Sequence, residues 1–351
     1  MRVSLFSLVL FFLIAMPSNA QTDLSARVMI VHSYDADHIC GHPQQQGVIQ
    51  ALAARGWKQN ENLVVESFYM NTKKLHTTPE AIRAQAKKAL AAIEAFEPDV
   101  VIVLDDNAIR EVMLPLVGRD DISVVFSGMN AQPSSYNSER AFMERLERPG
   151  SNVTGVYEKL YLAKSLAVIG SSLNGFDKGD KVVGITDYTP TGNAISRQFQ
   201  LEIAADKPNV VWELRRVKNF EEYRSLIYTL NEDPQVRAIY PAALSLETVD
   251  GLIHTAPEIF AWTIENSSKP EMSLNYFFSK IGLFGGVAVD FNSMGRMAGD
   301  KVARILNGET AGALPIEDAR DYAIVFNQTR AKQLNIRIPP PLLTAADHVY
   351  R

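Results

Sequence analysis

Two continuous apolar runs lie close together in this chain, and each ends in a short polar loop. Val100-Val101-Ile102-Val103-Leu104 leads into Asp105-Asp106-Asn107, and Ile122-Ser123-Val124-Val125-Phe126 leads into Ser127-Gly128-Met129-Asn130. Runs of this length, with no polar alternation, fit parallel strands covered on both faces. In open α/β sheets, ligands collect beyond the carboxyl ends of such strands. The loops at 105–107 and 127–130 are therefore the first place to look for binding chemistry.

The surrounding sequence alternates strand and helix patterns. Strands are expected over Arg27–Ser33, Leu63–Tyr69 and the two runs above. Between them lie helices over Gln44–Arg55, from Thr78 to Phe96, and from about Asn107. Gly56 closes the first helix, and Pro79 opens the second in its first turn. The alternation restarts near Asn152. It gives helices over Leu160–Leu173, Thr191–Ala205 and Phe220–Leu230, and strands over Lys181–Thr186, Val210–Leu214 and Val236–Tyr240. Further on come a strand at Phe284–Asp290, a helix over Ser293–Leu306 stopped by Asn307-Gly308, and a strand at Tyr322–Phe326. Ile338-Pro339-Pro340-Pro341 reads as a rigid extended element. The expected fold class is α/β: two doubly wound parallel-sheet domains whose crossovers are right-handed. Two such lobes form a hinged clamp that closes on a ligand from both sides.

The chain of 351 residues is long enough for two cores, and its net charge of −5 offers no basic field for nucleic acid. Cys40 is the only cysteine, so no internal disulfide can form. The first twenty residues read as a signal peptide. Arg2 supplies the positive start, Val3–Met16 is almost wholly apolar, and Ser18-Asn19-Ala20 suits cleavage before Gln21. No later apolar run reaches membrane-spanning length. An exported, periplasmic protein is expected.

Several constellations bear on chemistry. Asp105-Asp106-Asn107 reads as a helix cap combined with ligand hydrogen bonding, the alternative being a cation site or a catalytic carboxylate pair, which adjacent carboxylates leaving a strand end in different directions disfavour. Ser127-Gly128-Met129-Asn130 offers a hydroxyl, exposed backbone N–H groups and an amide, or an ordinary turn. In Asp187-Tyr188-Thr189-Pro190-Thr191-Gly192-Asn193, Pro190 and Thr191 start a helix, and Tyr188 can stack on a ligand. His38-Ile39-Cys40-Gly41-His42, with His32 and Asp37 nearby, is the one metal-like cluster, but its spacing matches no strong zinc signature. No Gly-x-Ser-x-Gly elbow, Walker sequence or dinucleotide fingerprint is present, so no catalytic residue, cofactor or metal is expected.

Several separate segments resemble the ABC-transporter substrate-binding family that includes tryptophan- and tyrosine-associated binding proteins. They are Pro98-Asp99-Val100-Val101-Ile102, Val124-Val125-Phe126, Pro149-Gly150-Ser151-Asn152-Val153-Thr154-Gly155-Val156, and the closing pattern from Gly295 through Pro315-Ile316, Asn327 and Ile338-Pro339 to Ala345-Ala346-Asp347. The resemblance implies a type I periplasmic-binding fold with three crossings between lobes, divided as 27–155 plus 290–312 and 156–289 plus 313–351. It also implies a small organic ligand, an amino acid or related compound, delivered by a monomer to an ABC permease. Two departures stand out. Tyr240-Pro241-Ala242-Ala243-Leu244-Ser245 replaces a polar stretch common in the family, and the 105–107 loop is more acidic, favouring a ligand with a cationic group. The expected ligand contacts are Tyr34, Asp35, Asp106, Asn107, Ser127, Gly128, Asn130, Glu158, Asp187, Tyr188, Thr189, Asn193, Tyr240 and Asp290. The alternative function is a ligand-sensing subunit that signals to a membrane histidine kinase or cyclase.

Overall fold

The computed structural model describes residues 25–351 apart from Ala243. The signal segment expected over residues 1–20 lies outside the described residues. Among the described residues, no helix is long and apolar enough to cross a membrane.

The first lobe is built on six strands: β1 (Ala26–His32), β2 (Leu63–Tyr69), β3 (Val100–Leu104), β4 (Ser123–Met129), β5 (Val153–Tyr157) and, from far along the chain, Glu317–Asp318. All pairings in this sheet are parallel. Alternate residues of β3 enter different cores. Val100, Ile102 and Leu104 join Val48 and Leu52, whereas Val101 and Val103 join Ala89, Ile93 and Val112. Both faces are therefore covered, which is why the run is apolar throughout. The helix Pro79–Phe96 begins at Thr78, whose hydroxyl accepts from the Ala81 N–H at 3.2 Å.

In the second lobe β6 (Lys181–Thr186), β7 (Val211–Arg216) and β8 (Val236–Pro241) form one sheet segment. A second segment holds β9 (Gly285–Val289), β11 (Tyr322–Asn327) and β12 (His348–Tyr350), with β10 denoting the Glu317–Asp318 strand of the first lobe. Residues 271–275 stitch the segments together, bridging Ile239 to Glu271, Met272 to Gly285 and Asn275 to Val289. The α/β class holds, with antiparallel pairing between β9 and β11 and in two short ribbons, Met143–Arg145 with Arg148–Gly150 and Ser245–Glu247 with Ile253–Thr255. The fully buried Glu271 carboxylate meets the Arg330 guanidinium, which also donates to the Ile264 and Ser267 carbonyls, both at 2.8 Å. That network fastens the short helix Gln328–Gln333 beneath the sheet.

The chain passes between the lobes after β5, again between β9 and the helix Phe291–Leu306, and a third time after β10. The helix Phe291–Leu306 packs on Gly41–Ala54 in the first lobe. Because Glu317 and Asp318 pair with Val156 and Tyr157, the last passage falls beyond residue 318 rather than near 312. Pro340 and Pro341 do not continue an extended segment. They form the first turn of the helix Pro340–Ala345, where a missing N–H costs nothing.

Candidate functional site

The carboxyl ends of β1 to β4 carry the loops that face the second lobe. Asp105 follows β3 directly, with φ at +66°. Such a left-handed backbone costs an L-residue about 1–2 kcal/mol, and strain of this kind gathers at binding sites. Its carboxylate, 3% exposed, accepts from Gln44 Nε2 at 3.4 Å, while Gln44 Oε1 accepts from the Ser127 hydroxyl at 2.7 Å. Gly128, at φ +74°, leaves room for this triad, since a Cβ there would lie 2.8 Å from Asp105 Oδ1. Asp105 Oδ2 is buried and has no partner. Burial, with the Asp106 charge adding to it, pushes the Asp105 carboxyl up to about 8.

Asp106 behaves differently. Oδ2 accepts from Asn130 Nδ2 at 2.7 Å and its N–H at 3.3 Å, and Oδ1 accepts from the Tyr136 hydroxyl at 2.8 Å. Its oxygens are committed to holding the 128–131 loop, as is the Asn130 amide. Neither Asp105 nor Asp106 caps the following helix, contrary to the sequence expectation. Ser33 does so, accepting from the Ala108 N–H at 2.8 Å while donating to the Leu104 carbonyl. Asn107 turns aside to donate to the Thr72 hydroxyl at 2.8 Å.

Glu158 sits at the first crossing, 2% exposed, with Oε1 buried and unpartnered. Burial, then the charges of Asp105 and Asp106, raise its carboxyl well above the usual range, and Lys73 opposes that shift. The Tyr34 ring packs 4.1 Å from His38 and under the Lys73 ammonium at 4.6 Å. Burial and then Asp105 and Asp106 hold its phenol protonated, while a hydrogen bond from Thr191 in the other lobe offsets them. Asp35 Oδ1 accepts from Lys74 at 3.2 Å, and its Oδ2 is buried and unpartnered.

Beside this cluster a cavity of about 140 Å³ lies between the lobes. The first lobe contributes Ile39, Cys40 and Lys73, the second Leu244, Ala256, Leu274, Asn275 and Phe278. A void of about 150 Å³ is known to admit a benzene ring, so this one accepts an apolar group of that size. Asn275 Oδ1 accepts from the Phe278 N–H, and its Nδ2 is left buried without an acceptor. Cys40 couples the two regions: burial and then Asp105 raise its thiol, and Glu158 adds to the shift.

The match to known proteins can now be set beside this geometry. The model of the family "ABC transporter substrate binding protein" matches residues 36–350. This chain belongs to that family. A tyrosine-binding protein of Clostridioides difficile is 19% identical over 321 residues, covering 91% of this chain and 84% of the relative. An ABC domain from Streptococcus pneumonia, solved in complex with L-Trp, superposes with a TM-score of 0.70 at 18% identity, covering 93% of this chain and 99% of the other. A conserved domain protein of Vibrio cholerae superposes at 0.71 with 21% identity and the same coverage. The fold is thus that of type I periplasmic binding proteins.

In this substrate-binding protein the expected contacts separate into groups. Tyr34, Ser127, Gly128 and Glu158 lie buried around Asp105, beside the cavity and outside its lining. Asp187 is occupied structurally, with Oδ1 accepting from Thr189 and Oδ2 from the Ser245 N–H at 2.8 Å. Thr189 caps the helix Pro190–Asp206, and Asp290 caps Phe291–Leu306. Tyr188 is 53% exposed beneath the Arg216 guanidinium, to which Asn193 also bonds, so both stand on the outer rim. The Tyr240 ring is buried against Phe199 and Trp212 in the second lobe, with its hydroxyl unpartnered. Among the described residues no group of three or more His, Cys, Asp or Glu side chains is placed to hold a metal ion, and His42 of the His38–His42 run pairs with Gln46 at 2.9 Å.

The contact list omitted Gln44, Asp105, Lys73 and Asn275. Gln44 is fully buried on a helix face where a polar residue reads as surface. The acidic 105–107 loop was a signal for Asp105, but which of the two aspartates is free depends on tertiary partners.

Proposed function

We propose that this protein captures a small organic solute, an amino acid or a related amine-bearing compound, between its lobes. It then presents that solute to an ABC permease. The observation that carries the reading is a cavity lined from both lobes, by Ile39, Cys40 and Lys73 on one side and Leu244, Leu274 and Asn275 on the other, with Asn275 Nδ2 left buried and unpartnered in its wall. An orphaned buried polar atom costs about 1–3 kcal/mol, and a ligand that supplies the missing partners recovers it. The family, the tyrosine-binding relative and the tryptophan complex of a structural neighbour support the ligand class. The N-terminal signal pattern supports export to the periplasm, and the protein acts there as a monomer without chemistry.

A thermal-shift screen of amino acids, amines, organic acids and sugars tests this. A ligand at a hundred times its dissociation constant adds about 2.7 kcal/mol of stability. At least one amino acid or amine should raise the melting temperature. A flat response across the whole panel contradicts the reading.

A further inference from the structure

The wall of the inter-lobe cavity carries two donors that lack an acceptor, one from each lobe. Lys73 and Lys74 line it from the first lobe. Lys74 is engaged by Asp35, whereas among the described residues the Lys73 ammonium forms no ion pair and lies over the Tyr34 ring at 4.6 Å. Asn275, 1% exposed, lines the cavity from the second lobe. Its Oδ1 accepts from the Phe278 N–H at 3.1 Å. Only the amide oxygen can accept that bond, so the amide's orientation is fixed and Nδ2 is the end left buried without a partner. No ionised acceptor is buried beside these donors. Asp37, the one carboxylate in the lining, is exposed. His38, also in the lining, is held neutral, because burial and then Lys73 and Lys74 lower its imidazole well below the ordinary value. Asp105 and Glu158 lie outside the lining, and burial above all keeps both carboxyls protonated near neutral pH, so neither neutralises Lys73. Asp106 and Asp187 lie outside it too, with their oxygens committed to Asn130 and Tyr136 and to Thr189 and Ser245. The acidic loop at 105–107 therefore does not set the charge of the cavity.

Resting on the reading that the cleft binds a solute, we infer that the cavity takes a small apolar carboxylate and recognises it by its acidic group. That carboxylate accepts from Lys73 Nζ and Asn275 Nδ2, and the apolar body of the ligand packs on Ile39, Leu244, Leu274 and Phe278. A void of about 140 Å³ is small enough for one carboxylate to reach both donors, the lysine moving on its flexible stem. The bond from the ammonium is charge-assisted and the stronger of the two. Since one donor belongs to each lobe, the same carboxylate also ties the lobes together. An α-ammonium on the ligand has only Asp37 to pair with in the lining, at an exposed position where an ion pair is worth little. An amino acid and its deaminated analogue are therefore bound alike, and an amine without a carboxylate is not.

The test is calorimetric titration of the full chain with three molecules that share one ring and differ in charge: 3-phenylpropanoate, phenylalanine and phenethylamine. The two acids should bind within tenfold of each other, and the amine at least tenfold more weakly than either. Lys73→Gln should weaken phenylpropanoate binding at least tenfold without lowering the melting temperature of the free protein. Asn275→Asp keeps an oxygen to accept from the Phe278 N–H but replaces the donor by an acceptor, and should also weaken it at least tenfold. The inference is overturned if phenethylamine binds within tenfold of phenylpropanoate, or if phenylalanine binds more than tenfold tighter than phenylpropanoate. It is overturned equally if Lys73→Gln costs less than tenfold. If neither acid binds while other members of the thermal-shift panel do, the inference falls and solute capture stands. If nothing in the panel binds, both fall.

Discussion

Asp105 holds its position at a cost to the empty protein. Its carboxyl titrates near 8 in the fold, against 3.8 when unperturbed, because burial and Asp106 disfavour the charged form. Between these values the unfolded chain is ionised and the folded one is not, so stability falls as pH rises from about 4 to 8. Glu158 acts in the same direction. Asp105→Asn should therefore stabilise the ligand-free protein at pH 8 by about 1–3 kcal/mol, and flatten its melting-temperature profile over that range. Unchanged or lower stability at pH 8 would contradict this assignment. The groups facing Asp105 are Asp106, Glu158, Lys73, Tyr34 and Cys40.

At the scale of elements, the site depends on one helix crossing. Gly41–Ala54 and Phe291–Leu306 approach so closely that a Cβ on Gly295 would lie 2.1 Å from the Gln44 carbonyl oxygen. Gly295→Ala must push the first helix away, carrying Gln44 from Asp105 and Ser127. A destabilisation of about 1–3 kcal/mol should accompany a fall in ligand affinity. Denaturant melts paired with calorimetry check both, and loss of stability with unchanged affinity would separate the crossing from the site. The elements themselves were largely readable. Continuous apolar runs marked β3 and β4, and Thr78-Pro79 marked the start of its helix. What escaped was set by distant partners. The strand His348–Tyr350 is short and half-buried, and forms because it can pair with β11. Pro340-Pro341 suits an extended chain and a first helical turn equally. The cluster beside the cavity was readable in place but not in detail: Asp106 looks like Asp105 until Asn130 and Tyr136 saturate it.

For the whole molecule, the proposed capture of a solute requires one lobe to move against the other. Side-chain contacts join the two lobes in the described arrangement. Gln132 Nε2 donates to Gln198 Oε1 at 2.6 Å. Glu202, on the same helix as Gln198, accepts from the Leu160 and Leu162 N–H groups at 2.9 and 2.7 Å, anchoring that helix beside the crossing. Gln198→Ala removes this inter-lobe bond together with the bond from Gln198 Nε2 to Glu202 Oε1 at 2.8 Å within the same helix. It should weaken ligand binding by about 1 kcal/mol, the net worth of one such bond, chiefly through faster dissociation measured by stopped flow. The most direct measurement is small-angle X-ray scattering of the full protein, with and without a saturating ligand from the thermal-shift screen. Closure of the two lobes on a solute predicts a smaller radius of gyration in the complex. A stoichiometric complex whose scattering overlays that of the free protein would contradict it.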